Sequence, residues 1–166
     1  MVQQWLKDEL YPFLERLENN EHLPTFVVHL GVDEKCQQIK LENRAFNEAK
    51  FRIPDQSGWK PDGIPINGAE KCSYFRETKL PIGNLAAALQ KYNVLVSKDA
   101  GRYVCNYSYF VSLEEASQRE GIFPLFVHVP LFSKVSKERQ LEFLGALFQE
   151  LAMCFDQEEE GKMAIK

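Results

Sequence analysis

The 166 residues are 45% hydrophobic and 27% charged, which suits one domain with a substantial core rather than two. A net charge of −4 and a pI near 5.5 leave no basic face to neutralise phosphates, so a general binder of nucleic acid or of anionic membranes is excluded. No run of 18 or more apolar residues and no charged-then-apolar leader is present, so the chain is expected to be soluble and cytoplasmic.

Residues Val2 to Asn19 place Trp5, Leu6, Leu10, Phe13, Leu14 and Leu17 near one helical face, with Pro12 as a kink. An amphipathic helix is predicted there. After Asn19 and Asn20, the β-branched and apolar run TFVVHLGV predicts a buried strand of the kind found in a sheet covered on both faces. Ile39 and Leu41 predict a short strand. From Asn43 to Gly68 the chain is rich in Pro, Gly, Asn and Asp and is expected to be a long surface excursion, with Glu42 at its entrance.

A short helix is predicted from Leu85 to Lys91, feeding a strand at Val94, Leu95 and Val96. A polar turn closed by Gly101 follows, in which Asp99 is expected to bond the backbone two residues on. An aromatic-rich helix then begins near Cys105 and is permitted to stop at Gly121. The run LFVHVPL, Leu125 to Leu131, predicts a buried strand carrying His128 and ending at Pro130. Ser136 with Arg139 to Phe155 predicts a long amphipathic helix, with Leu141, Leu144, Leu147, Phe148 and Leu151 on its apolar side and 157–166 as a frayed tail. Alternating helices and apolar strands imply one α/β domain over 1–166: a three-layer α/β/α sandwich with a mostly parallel central sheet.

The chemistry concentrates in the stretch from Asn93 to Leu113. A cysteine at the start of a helix sits where free backbone N–H groups and the positive end of the dipole converge, which favours thiolate and supplies donors to an oxyanion. His128, an ionisable ring within an apolar run, wants a polar partner, and a thiol would serve as one. Cys36, Cys72 and Cys154 lack CxxC spacing and are read as small buried hydrophobes in a reducing compartment; no metal or cofactor is expected. His29 is read as a satisfied core histidine. Tyr107, Tyr109 and Phe110 are read as core packing.

SKDAGRYVCNYSYFVSL followed by FVHVP resembles the cysteine and histidine blocks of the pyroglutamyl-peptidase I (pyrrolidone-carboxylate peptidase) family of cysteine exopeptidases. HLGVDEKCQQIKLENRAFN followed by FRIPDQSGWKP is similar to that family's block holding the catalytic glutamate. The resemblance implies a triad of Cys105 as nucleophile, His128 as base and Glu42 as the group orienting His128. It also implies a peptide substrate with an N-terminal pyroglutamate, whose uncharged ring would meet Arg52, Ile53, Tyr103 and Val104 as wall or backbone contacts. The family's opening strand, Gly-Phe-Gly-Pro-Phe-like loop, helix and second strand have no counterpart here, so an N-terminally truncated member is expected. From that departure the alternative is a catalytically weak or inactive relative acting as an interaction module.

Overall fold

A computed structural model of the chain describes residues 4, 6–13 and 24–163. It is an α/β fold. Eight strands run in chain order: β1 (Thr25–Val32), β2 (Ile39–Glu42), β3 (Arg44–Phe46), β4 (Ala49–Lys50), β5 (Asp62–Ile64), β6 (Phe75–Glu77), β7 (Val94–Ser97) and β8 (Ile122–Val129). Among the described residues three longer α-helices accompany them: α1 (Ile82–Ala88), α2 (Val104–Ser117) and α3 (Lys137–Met163). Four strands form one sheet in the order β1-β8-β2-β7. Backbone bonds from Thr25 N–H to the Gly121 carbonyl (2.7 Å) and from Asp33 N–H to the Val129 carbonyl (3.0 Å) keep one offset along β1 and β8, so this pair runs parallel.

The chain divides into two compact units. One comprises Met1–His29, Glu42–Leu80 and Ser97–Phe126; the other comprises Leu30–Leu41, Pro81–Val96 and Val127–Lys166. Four of the five divisions fall inside β1, β2, β7 and β8, and the fifth lies between Leu80 and Pro81, just before α1.

The first unit is built on α2, whose residues 106–113 and Ala116 are all buried. A helix apolar on every side has to be covered on every side. Tyr107 and Val111 pack with Leu10, Ala49, Phe51 and Ile122, whereas Tyr109, Phe110 and Leu113 pack with Ala45, Ala100 and Phe126. The stretch expected to be a surface excursion is one over much of its length, since residues 52–54, 56–58 and 64–65 are exposed. Its beginning turns inward instead, with Ala45, Asn47 and Ala49 fully buried, and the stretch contributes β3, β4 and β5. Two antiparallel ribbons account for this. Arg44 faces Glu77 and Phe46 faces Phe75 in one, while Ala49 faces Ile64 and Lys50 faces Asp62 in the other. Asn47 replaces a longer ladder, donating to the carbonyls of Asn67 (2.9 Å) and Glu70 (3.0 Å) and accepting the Asn67 N–H (2.6 Å). Of the predicted first helix, a π-helical turn, Leu6–Leu10, is described, with Leu10 buried; Trp5, Leu14, Leu17, Asn19 and Asn20 lie outside the described residues.

His29 is satisfied as expected, but half-buried rather than in the core. Its Nε2 lies 2.8 Å from Ser112 Oγ, and its ring stacks on Phe126 at 5.8 Å. Burial pushes its pKa down from 6.5 to about 4. The unfolded chain therefore takes up a proton at this position that the folded chain refuses. Stability is greatest above pH 6.5 and falls as the pH drops from 6.5 towards 4, by at most about 1.4 kcal/mol per pH unit. His29→Gln is expected to flatten that part of the profile, which urea midpoints at neutral and mildly acidic pH check.

In the second unit α1 is followed by a 3₁₀ turn, Gln90–Tyr92, that Asn93 closes in the left-handed region at φ 58°. The predicted short helix thus starts earlier, directly after Pro81, whose ring suits a helix start. On α3 the buried face is Phe143, Leu147 and Leu151, at intervals of one turn, while Leu141 and Phe148, expected on the apolar side, are exposed. Gln140 anchors that helix by donating to the Pro130 (2.8 Å) and Val135 (2.9 Å) carbonyls. The helix continues to Met163, into the stretch read as a tail. No described helix is long and apolar enough to cross a membrane.

Candidate active site

β7 leads into the turn that sets up Cys105. Asp99 Oδ1 accepts the Gly101 N–H (3.0 Å), the bond two residues on that its sequence position predicts, and also Arg102 Nη1 (2.6 Å). Gly101 holds φ +82°, a value that side-chain-bearing residues avoid. Tyr103 is extended, with ψ −164°, and helical geometry begins at Val104. The first backbone bond of the helix runs from Tyr107 N–H to the Tyr103 carbonyl (3.0 Å). Cys105 therefore occupies the first turn, where amides have no helical acceptor and can serve an anion. Its side chain is half-buried against Tyr109, Phe110 and their neighbours.

Asn106, which sequence reasoning passed over, fixes where this turn sits. It is fully buried; its Oδ1 accepts the Phe46 N–H (2.8 Å), and its Nδ2 donates to the carbonyls of Phe46 (2.8 Å) and Glu48 (3.0 Å). One side chain thus ties the residue after Cys105 to the bend between β3 and β4. The signal was present: an Asn within an otherwise aromatic and apolar helix has to find buried partners.

The four residues named for the substrate wall share this unit. Tyr103 packs edge-on against Phe51 at 4.8 Å, and its hydroxyl donates to the Pro54 carbonyl (3.4 Å), so it lies along the segment that carries Arg52 and Ile53. Arg52 and Ile53 are exposed, and Val104 packs with Tyr103 against the cluster around Phe51. Asp55 shapes the following turn by accepting the N–H groups of Ser57 (2.8 Å) and Trp59 (3.0 Å) and the Ser57 hydroxyl (2.7 Å). The Ser57 hydroxyl bond foremost, with these amides, holds its carboxyl well below the usual range.

Glu42 ends β2 in the same unit as Cys105 and is fully buried. Its backbone carbonyl accepts the Tyr109 hydroxyl (2.8 Å), and Tyr109 stands one helical turn beyond Cys105. Asn43 N–H bonds the Ser97 carbonyl (2.7 Å), tying the end of β2 to the end of β7. His128 belongs to the second unit, where it is buried on β8 beside Val129, whose carbonyl receives the Asp33 N–H. Asp33 also accepts Lys40 Nζ (2.7 Å). That bond foremost, with the Lys35 amide and the charges of Lys40 and His128, lowers its pKa. Among the described residues no three His, Cys, Asp or Glu side chains are grouped to hold a metal ion.

The sequence profile described as pyroglutamyl peptidase matches residues 14–151. The pyrrolidone-carboxylate peptidase of Clavibacter michiganensis is 31% identical over 109 residues, 64% of this chain and 50% of that protein. Its namesake from Pyrococcus furiosus is 30% identical over 149 residues, 86% of this chain and 68% of that protein. A crystal structure of the Pyrococcus furiosus enzyme superposes with a TM-score of 0.71 at 26% identity, covering 86% of this chain and 74% of the other. The chain spans between about half and two-thirds of the length of the curated relatives it matches. A profile match that runs through the turn before Cys105, the buried Glu42 and the strand of His128 leaves one conclusion: the chain belongs to the pyroglutamyl peptidase family.

Proposed function

We propose that the chain is a cysteine omega-peptidase that cleaves the bond after an N-terminal pyroglutamyl residue of cytoplasmic peptides, with Cys105, His128 and Glu42 as its triad. The observation that carries this reading is the placement of Cys105 in the first turn of α2, inside a match to the family that spans residues 14–151. His128 takes the thiol proton, and the sulfur adds to the pyroglutamyl carbonyl. Backbone N–H groups at the start of α2 receive the oxyanion, an interaction whose loss typically costs about 3 kcal/mol of barrier. His128 returns the proton to the departing amine as the C–N bond breaks, and water, deprotonated by the same ring, releases pyroglutamate from the thioester. Glu42 accepts the second ring N–H of His128 and stabilises the imidazolium. Arg52, Ile53, Tyr103 and Val104 border the lactam ring, an uncharged group suited to aromatic and aliphatic walls.

The test is release of aminomethylcoumarin from its pyroglutamyl amide by the purified chain, with and without iodoacetamide. Release that alkylation abolishes is the expected result. A folded sample that releases nothing overturns the activity and leaves a catalytically silent member of the family.

A further inference from the structure

Beside the Arg52 segment lies a groove of about 640 Å³ lined by Lys50, Phe51, Arg52, Lys60 and Asp62, all within the first unit. Its floor is apolar, with Phe51 buried and the Trp59 ring edge-on to it at 5.1 Å. Its rim is cationic: three basic side chains stand around a single acid. Among the described residues none of those three is engaged in a hydrogen bond or ion pair through its side chain, and all three are exposed. The acids close by in sequence are occupied elsewhere, Glu48 by Arg102 (3.1 Å) and Asp55 by its own turn. In a chain of net charge −4, a groove with this surplus of positive charge stands out. It is also tied to the nucleophile's segment, because Lys50 N–H bonds the carbonyl of Arg102, three residues before Cys105 (2.9 Å).

A lactam ring gives three cations nothing to recognise. The remainder of such a peptide does, since it carries a C-terminal carboxylate and any acidic side chains. Resting on the function proposed above, we infer that this groove receives a carboxylate of the peptide beyond its pyroglutamyl residue and favours acidic leaving peptides. Exposed charges act through a screened field, so the preference is modest and salt-dependent.

The experiment measures calorimetric affinities of the full Cys105→Ala chain for three peptides: pyroglutamyl-Ala-Glu-Glu-amide, pyroglutamyl-Ala-Gln-Gln with a free C-terminus, and pyroglutamyl-Ala-Gln-Gln-amide. At low ionic strength at least one of the two carboxylate peptides is expected to bind about fivefold more tightly than the neutral amide, with the advantage shrinking in salt. Which of them does so separates side-chain from terminal recognition. The double change Lys50→Gln with Lys60→Gln should remove the advantage, whereas Lys35→Gln with Lys137→Gln, the same loss of two charges at exposed positions of the second unit, should retain it. Equal affinities for all three, no measurable binding of either carboxylate peptide, or an advantage that survives the double change overturns the inference. If the unmodified chain releases no aminomethylcoumarin but the carboxylate preference holds, the proposed activity falls and the groove stands. Release with three equal affinities does the reverse.

Discussion

Replacing Cys105 with Ala is expected to lower hydrolysis of the pyroglutamyl amide by on the order of 10⁴-fold or more, because it removes the only atom proposed to bond the substrate. A mechanism that passes through a thioester has no partial version without its sulfur. The fold should tolerate the change. Cys105 is half-buried at the margin of a cluster held by the fully buried Tyr109 and Phe110, and Ala suits the first turn of a helix as well as Cys does. A loss of about 1 kcal/mol or less is expected in urea unfolding. Iodoacetamide alone cannot make the same assignment, because Cys72 and Cys154 are also partly exposed while Cys36 is buried. Alkylation sensitivity that disappears from the residual activity of Cys105→Ala, together with a cooperative unfolding transition shifted by no more than that loss, would tie the reaction to this one thiol. Turnover retained by the variant would reject Cys105 as nucleophile.

Two strands were legible because their apolar runs are continuous: TFVVHLGV is β1 from end to end, although it is half-buried with Leu30 and Val32 exposed rather than buried as expected, and the run around His128 is β8 with Ile122 to Pro124 added at its start. The turn before Cys105 was legible for a different reason. Asp99 and Gly101 each have one strong local preference, and both are realised there. The segment from Asn43 to Gly68 was legible in part: residues 52–54 and 56–58 are exposed, as Pro, Gly and Asp there suggest, but its start is held inside. In the fold Asn47 is an interior hub whose amide bonds backbone groups up to 24 residues away, and no local pattern announces such partners. On α3 the sequence offers two overlapping apolar stripes, one through Phe143, Leu147 and Leu151 and one through Leu141 and Phe148, and only packing chooses between them. The candidate triad stood out in the sequence through order and spacing of blocks rather than through any single residue, since one Glu among 24 acids reads by itself as an ordinary surface carboxylate.

Asn106→Leu is expected to cost about 3 kcal/mol or more of stability, although Asn106 is given no part in the chemistry. Leu is close in size, so the change is not mainly one of volume. It strands the Phe46 N–H and carbonyl and the Glu48 carbonyl, three backbone groups whose partner is this fully buried side chain. Each buried group left unpaired costs about 1 to 3 kcal/mol, and some of that is recovered if water enters. For a chain of this length 3 kcal/mol corresponds to a fall in Tm of roughly 10 °C. Asn106→Asp separates the two halves of the role. It keeps an acceptor for Phe46 N–H but removes both donated bonds and buries a charge, so it should be no milder than Leu at neutral pH and should recover as the carboxyl is protonated. Because the same side chain ties the first turn of α2 to the bend after β3, turnover per folded molecule should fall along with stability. A variant that lost stability while keeping full turnover per folded molecule would assign Asn106 to the core alone, and one that lost neither would mean that the β3–β4 bend does not set the position of Cys105.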